Sequence, residues 1–238
     1  MIAVILAGGK GVRLKPYTIT LPKPLVPIGE DPIMKLLLLS LRNQGTKEVV
    51  ICVNHMCDLI EAYFGDGSQL GLKIRYSREQ KPLGTVGPVR LIQSLPDDFL
   101  VMNGDILTDL SIRKFFYEHK TSDAIMTVAT YARNNNIDFG VIEHDNQDII
   151  RGFIEKPQYE FNVSMGIYAF NKRVLDYVPE DTFYGFDSLM HTLLKNEERV
   201  KIYKHNGYWL DIGRPEDYEK ANEDVARAKM WDASPLVV

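Results

Sequence analysis

Short β-branched runs alternate with helical stretches through the first 105 residues, and that alternation restricts the chain to an α/β fold on a parallel sheet. Ile2–Leu6 reads as a buried strand that runs straight into glycines. Asp31 and Pro32 supply an N-cap and a first-turn proline for an apolar helix reaching about Gln44. Glu48–Val53 reads as the next strand, residues 56–64 as a helix and 73–76 as a strand. Residues 85–94 read as a helix and 99–102 as a strand that stops at Asn103-Gly104-Asp105. Crossovers of this length fit right-handed βαβ units.

Beyond Asp105 the pattern changes. A helix is predicted over 111–119, then strands over 124–131, 140–144 and 149–154, with Asp145-Asn146 turning a hairpin between the last two. Residues 165–170 read as a strand, Phe186–Lys195 as a helix and 200–204 as a strand. Pro215 opens a final helix with Glu216 and Asp217 in its first turn. No repeats or low-complexity linkers interrupt the chain, so one domain over residues 1–230 is expected, with 231–238 as a loose tail.

The 28 basic and 32 acidic residues are mixed along the chain for a net charge of −4, which argues against nucleic acid as the main partner. Cys52 and Cys57 have no second Cys or His pair to complete a zinc set and read as reduced thiols. The N-terminal apolar run is too short for a signal peptide, and no run approaches the roughly 20 residues that span a bilayer. No membrane partner is expected, and the cytoplasm is the expected compartment.

The chemistry begins at the loop after the first strand. Gly8, Gly9 and Gly11 let the backbone turn and bring its N–H groups close to an anion, and Arg13 follows with a fork suited to phosphate. The loop is neither a Walker A sequence nor a complete G-x-G-x-x-G, and alone it is equally an ordinary turn. Pro22 and Pro24 stiffen the backbone around Lys23 and deny it a helix or a central strand. Asp105 and Asp211 each follow an apolar run, and two carboxylates from distant parts of the chain suit a Mg²⁺ bound to substrate phosphates. Singly, each is more readily read as a turn or helix cap. Glu155-Lys156-Pro157 repeats the lysine-proline pattern. The histidines form no metal-binding or triad-like set, and no nucleophile elbow is present.

Taken in order, L-A-G-G-x-G-x-R-L, P-K-P, P-L-G-T, N-G-D, E-K-P and W-x-D-I-G resemble the nucleotidyltransferases that make nucleotide-sugars from sugar 1-phosphates. The resemblance runs from Met1 to about Val225 and is nearest to the mannose- and heptose-1-phosphate guanylyltransferases. It implies a Rossmann-like three-layer sandwich with a mostly parallel mixed central sheet, of the nucleotide-diphospho-sugar transferase type. Residues to about 105 would form a nucleotide-binding half and 106–230 a sugar-binding half.

The resemblance also implies roles. Arg13 and Lys23 would hold the triphosphate for catalysis, with Leu6, Ala7, Gly8, Gly9, Gly11, Pro82, Gly84, Thr85 and Asp105 around the nucleotide. Gly140, Glu155, Lys156, Met165 and Gly166 would serve the sugar phosphate, and Asp105 with Asp211 would ligate Mg²⁺. The expected substrates are a nucleoside triphosphate, GTP foremost, and a heptose or mannose 1-phosphate, with UTP, CTP, dTTP or a hexose 1-phosphate as alternatives. Many members carry a β-helix of hexapeptide repeats after the catalytic domain. None follows here, so a stand-alone enzyme of cell-surface sugar or secondary-metabolite assembly is expected, with a homo-oligomer left open. A non-catalytic homologue should lack Arg13, Lys23, Asp105 or Asp211, and all are present. A dinucleotide oxidoreductase should close its second strand on an acid, whereas Glu48–Val53 ends at Asn54.

Overall fold

The computed structural model describes residues 1–227. Its elements run β1 (Ile2–Leu6), β2 (Pro27–Ile28), β3 (Asp31–Pro32), α1 (Ile33–Asn43), β4 (Glu48–Val53), α2 (Cys57–Phe64) and β5 (Lys73–Arg78). Next come α3 (Gly87–Arg90), β6 (Asp98–Asn103), β7 (Ile106–Thr108), α4 (Ile112–Lys120) and β8 (Met126–Asn136). The chain continues through β9 (Val141–His144), β10 (Ile150–Ile154), β11 (Gln158–Asn171) and α5 (Phe186–Lys195). It then forms β12 (Val200–His205), β13 (Trp209–Asp211) and α6 (Pro215–Arg227). The predicted tail, 231–238, lies outside the described residues.

Seven strands form one sheet in the order β12-β8-β11-β6-β1-β4-β5. Only β11 is reversed, pairing antiparallel with both β6 and β8, so the sheet is mixed and mostly parallel as expected. Both faces are covered. On β1, Ala3 and Ile5 pack with Met34, Leu38 and Phe115 of the helices on one side, while Val4 packs with Val89, Leu189 and Leu193 on the other. That is why the strand reads as a continuous apolar run instead of an alternating one. A third cluster joins Leu14, Ile33, Leu107, Leu210 and Ile212, tying the N-terminal loop to β7, β13 and α6.

Strand β1 lies between β4 and β6, so successive crossovers part to opposite sides at its carboxyl end. Ligands of open α/β sheets bind at such a switch point. The glycine loop begins there.

Some local expectations are corrected. Asp31 is not the N-cap of α1: it lies in the β2–β3 bridge, Pro32 takes the cap position, and the Asp31 carboxylate pairs with Lys35. The helix predicted over 85–94 shrinks to the single turn α3, because the Val86 and Gly87 N–H groups are drawn to the Tyr184 carbonyl and Ser94 turns left-handed. The prolines around Lys23 exclude an α-helix but not the 3₁₀ turn Lys23–Leu25. Strands β8 and β11 extend past the predicted 124–131 and 165–170, as a two-stranded arm whose far end carries the hairpin β9–β10. Its polar ladder, including Asn134 opposite Glu160 and Asn136 opposite Gln158, hid these strands from a propensity reading.

Candidate active site

A cavity of about 630 Å³ opens at the carboxyl ends of β1, β4, β5 and β6. Leu6, Ala7, Gly8, Gly9, Gly11 and Arg13 line it, as do Lys23, Pro82, Gly84, Thr85 and Asp105. The nucleotide-side candidates therefore share one wall.

The glycine loop is shaped by close approach. A Cβ on Gly8 would lie 2.7 Å from the Glu79 carboxylate and 3.3 Å from Asn54 Cβ. Gly11 is left-handed, with φ +60°, and its carbonyl accepts a 2.8 Å hydrogen bond from the Thr18 hydroxyl. The next turn buries Leu14 and leaves Arg13 exposed. Lys23 sits between two buried prolines, so its stem is fixed from both sides.

One end of the cavity gathers charge. Lys23 Nζ pairs with Asp105 Oδ2, and the other carboxylate oxygen, Oδ1, is buried with no hydrogen-bond partner. Asp211 arrives by strand pairing: it lies opposite Ile106 in the β7–β13 ladder, and the Ile212 N–H donates to the Asp105 carbonyl at 3.0 Å. Burial raises the Asp211 pKa, the Asp105 charge raises it further, and Lys23 and Arg13 oppose both. A Cβ built on Gly213 would stand 3.5 Å from an Arg13 guanidinium nitrogen and 3.5 Å from Asp211 Oδ2. Four groups from four segments thus meet at one point, although Asp211 itself stands behind the wall that Gly213 forms.

A buried, unpartnered carboxylate oxygen beside a second carboxylate with a raised pKa is an arrangement that a cation would stabilise. Among the described residues no third Asp, Glu, His or Cys joins them. Two carboxylates fit Mg²⁺, which keeps several waters and bridges to substrate phosphates.

The other end of the cavity is apolar, with an amide and a carboxylate that the motif reading missed. Asn54 follows β4 and Glu79 follows β5, and both line the wall. Glu79 Oε2 accepts the Leu83 N–H at 3.0 Å. Burial raises the Glu79 pKa, and the bonds from Leu83 and Asn54 restrain the rise. The Pro82–Thr85 turn is clamped from across the chain: Tyr184 N–H donates to the Leu83 carbonyl at 2.9 Å, and Phe186 N–H to Thr85 Oγ1 at 2.9 Å. The clamp carries Phe183 to the cavity rim, where its ring is 69% exposed. No motif marks these residues, but Asn54 and Glu79 directly follow parallel strands, and the switch-point rule was a usable signal.

The sugar-side candidates divide. Met165 and Gly166 sit at the irregularity where the pairing of β11 with β8 shifts. Gly166 has φ +72° and packs against the Asn103 side chain, while the Met165 carbonyl accepts the Trp209 indole N–H at 3.1 Å. Gly140, Glu155 and Lys156 lie out on the arm instead. A Cβ on Gly140 would stand 3.2 Å from Glu155 Oε2, and Lys156 is exposed with φ +45°. None of these sugar-side residues lines the cavity.

Comparison with known proteins agrees with this architecture. The sequence model for the family described as "Nucleotidyl transferase" matches residues 2–228. A protein of Synechocystis named UTP–glucose-1-phosphate uridylyltransferase is 34% identical over 94% of this chain. This chain spans only 63% of that relative's length. A D-glycero-alpha-D-manno-heptose 1-phosphate guanylyltransferase of Campylobacter jejuni is 33% identical, with 92% of this chain and 97% of the relative aligned. The crystal structure of HddC from Yersinia pseudotuberculosis with GMP-PN superposes with a TM-score of 0.73 at 27% identity, covering 94% of this chain and 99% of the other.

Proposed function

This chain belongs to the nucleotidyl transferase family, and from that premise we propose that it joins a nucleoside triphosphate to a sugar 1-phosphate, giving a nucleotide-sugar and pyrophosphate. The observation that carries the reading is the polarity of the cavity. Arg13, Lys23, Asp105 and Asp211 converge at one end, and an apolar slot with Glu79 and Asn54 forms the other. A nucleotide has the same polarity, with a polyanion at one end and a flat heterocycle at the other. On this reading residues 1–105 serve the nucleotide and 106–230 the sugar.

In the reaction an oxygen of the sugar phosphate attacks the α-phosphorus in line, and the bond to the β-phosphate oxygen breaks to release pyrophosphate. The nucleophile is already ionised at neutral pH, so no general base is needed. The protein's task is to align two anions and offset their repulsion. Backbone N–H groups of the Gly8–Gly11 loop and the Arg13 fork hold the triphosphate. Lys23, fixed by its prolines and by Asp105, holds a point charge near the leaving group. Asp105 and Asp211 would hold Mg²⁺, whose charge offsets that of the phosphates when it is bound. Lys156 and Glu155 take the sugar phosphate and its hydroxyls.

GTP is the proposed triphosphate. The Glu79 carboxylate presents acceptors only, and the guanine edge offers two adjacent donors, N1–H and the exocyclic amine, whereas uracil and thymine offer one. UTP is the second reading, favoured by the name of the Synechocystis relative. A heptose or mannose 1-phosphate is the proposed acceptor, supported by the motif resemblance and the Campylobacter relative's name. Work in the cytoplasm fits such substrates, and no helix among the described residues is long and apolar enough to cross a membrane.

The test is pyrophosphate release from each of five nucleoside triphosphates paired with a panel of sugar 1-phosphates in Mg²⁺. Release is expected to be largest with GTP. A folded protein that releases none with any pair overturns the reading.

A further inference from the structure

Arg133 stands on the arm over Trp209, two residues before Asp211, and no motif accounts for it. It lies two residues after Tyr131 on β8, so both side chains share a face of the arm, with Phe161 of β11 directly opposite Arg133. Its guanidinium carbon is 5.3 Å from the centroid of the Trp209 ring and 5.8 Å from that of Tyr131. The two rings are themselves in contact, with centroids 5.5 Å apart. Trp209 is fixed by its hydrogen bond to the Met165 carbonyl. The guanidinium therefore rests on a built aromatic bed. Among the described residues it has no carboxylate partner and no side-chain hydrogen bond.

The bed adjoins a site residue. On β13, Leu210 is buried in the third core while Trp209 and Asp211 are half-buried on the opposite face. Trp209 and Asp211 are thus neighbours on one face, about 7 Å apart along the strand. Asp211 also adjoins Asp105, Lys23 and Arg13 electrostatically, so the Trp209 bed borders the charged end of the site. The Met165-Gly166 irregularity adjoins the same tryptophan. An exposed arginine held over two aromatic rings, with its fork donors unspent, is suited to a bidentate oxyanion.

We propose that Arg133, laid on Trp209 and Tyr131, is an anion-binding residue of the second-substrate subsite, gripping the phosphate oxyanion of the incoming sugar 1-phosphate. The proposal rests on the reading of the chain as a sugar-1-phosphate nucleotidyltransferase and adds a positioning cation to Lys156.

The first measurement is steady-state pyrophosphate release with the best substrate pair. Arg133→Ala is expected to raise KM for the sugar phosphate about tenfold while KM for the triphosphate stays within twofold. Arg133→Lys should recover little, because an ammonium has no fork to grip two oxygens. A sugar-phosphate KM within twofold of wild type, or equal increases in both constants, overturns the proposal.

A second measurement stands apart from turnover. Trp209 and Trp231 are the chain's two tryptophans, so Trp231→Phe leaves Trp209 as the sole indole. Titration with mannose 1-phosphate, or the best acceptor found in the release assay, is expected to change its emission saturably, and Arg133→Ala should abolish that change. Mannuronic acid 1-phosphate tests whether a distal carboxylate is held instead of the phosphate. Arg133→Ala should weaken both compounds alike; weakening of the second compound alone overturns the proposal. A titration that Arg133→Ala leaves unaltered, or the absence of any change on titration, overturns the proposal. Failure of pyrophosphate release in the wild type counts against the parent reading alone.

Discussion

The two substrate sides of this molecule are built on different mechanical principles. Nucleotide-side residues follow β1, β4 and β6, strands covered on both faces, and the edge strand β5, and they meet around one cavity. Glu155, Lys156 and Gly140 are exposed out on the arm and its hairpin, beside Phe139, 78% exposed, and Phe153, 62% exposed. Packing from two layers holds the first group in place before any ligand arrives. The second group lacks that support, so the sugar phosphate itself must supply part of its organisation. The two sides should therefore respond differently to substitution.

The largest difference is expected at the charged end. Asp211→Asn should lower pyrophosphate release about 10³-fold or more while the protein still folds, because a neutral amide cannot hold the cation that the phosphates require. Lys23→Ala should reduce turnover and also stability, since it leaves Asp105 without its ion-pair partner. A loss of about 2 kcal/mol in a denaturant melt is expected. Lys156→Ala, on the exposed arm, should leave the melt unchanged and raise KM for the sugar phosphate about tenfold. Equal stability losses in the two lysine variants would erase the distinction between a packed side and an open one.

The sequence reveals the first side far better than the second, for a physical reason. Buried parallel strands must be apolar throughout, so β1 and β4 are legible to the residue, and the glycines that follow mark a backbone close to its ligand. Asp105 and Asp211 are legible as strand-end carboxylates. Their convergence is not, because the three-residue strands β7 and β13 that join them have no periodicity to detect. Glu79 and Asn54 escape because a single polar residue after a strand carries no motif. Arg133 escapes because its meaning lies in Trp209, far away along the chain. The arm itself is hidden by its asparagines, which oppose strand propensity where pairing with β11 overrides it.

The base end gives a smaller effect that sharpens the same contrast. Glu79→Gln should cut the preference for GTP over UTP about thirtyfold, the ~2 kcal/mol scale of a hydrogen bond to a charged group, because one amide donor would face a guanine donor. Competition between the two triphosphates in one assay measures this directly. An unchanged ratio would remove Glu79 from base recognition and favour backbone readout.

The smallest effect is thermal and concerns the metal-free protein. Burial and the neighbouring Asp105 raise the Asp211 pKa, so the folded protein binds this proton more tightly than the unfolded chain does. The sign follows: the contribution of Asp211 to stability is fully present below its unfolded pKa and is lost as pH rises through its higher folded pKa. At pH 7 in chelator, Asp211→Asn should therefore melt higher than wild type, by about 2 °C, a modest shift for a chain of this size. The gap should close as pH falls and wild-type Asp211 takes up its proton. Glu48, whose burial pushes its pKa up but whose hydrogen bonds and charge pairing with Arg75 and Lys73 together outweigh that and lower it, titrates in both proteins, so its acid destabilisation cancels in the difference. Millimolar Mg²⁺ should reverse the order at pH 7, because only the wild type gains binding energy from the cation. Lys156→Ala should show none of this dependence on pH or metal. A variant melting below wild type in chelator at pH 7 would mean that Lys23 and Arg13 already neutralise the site, leaving no unmet demand for a cation there.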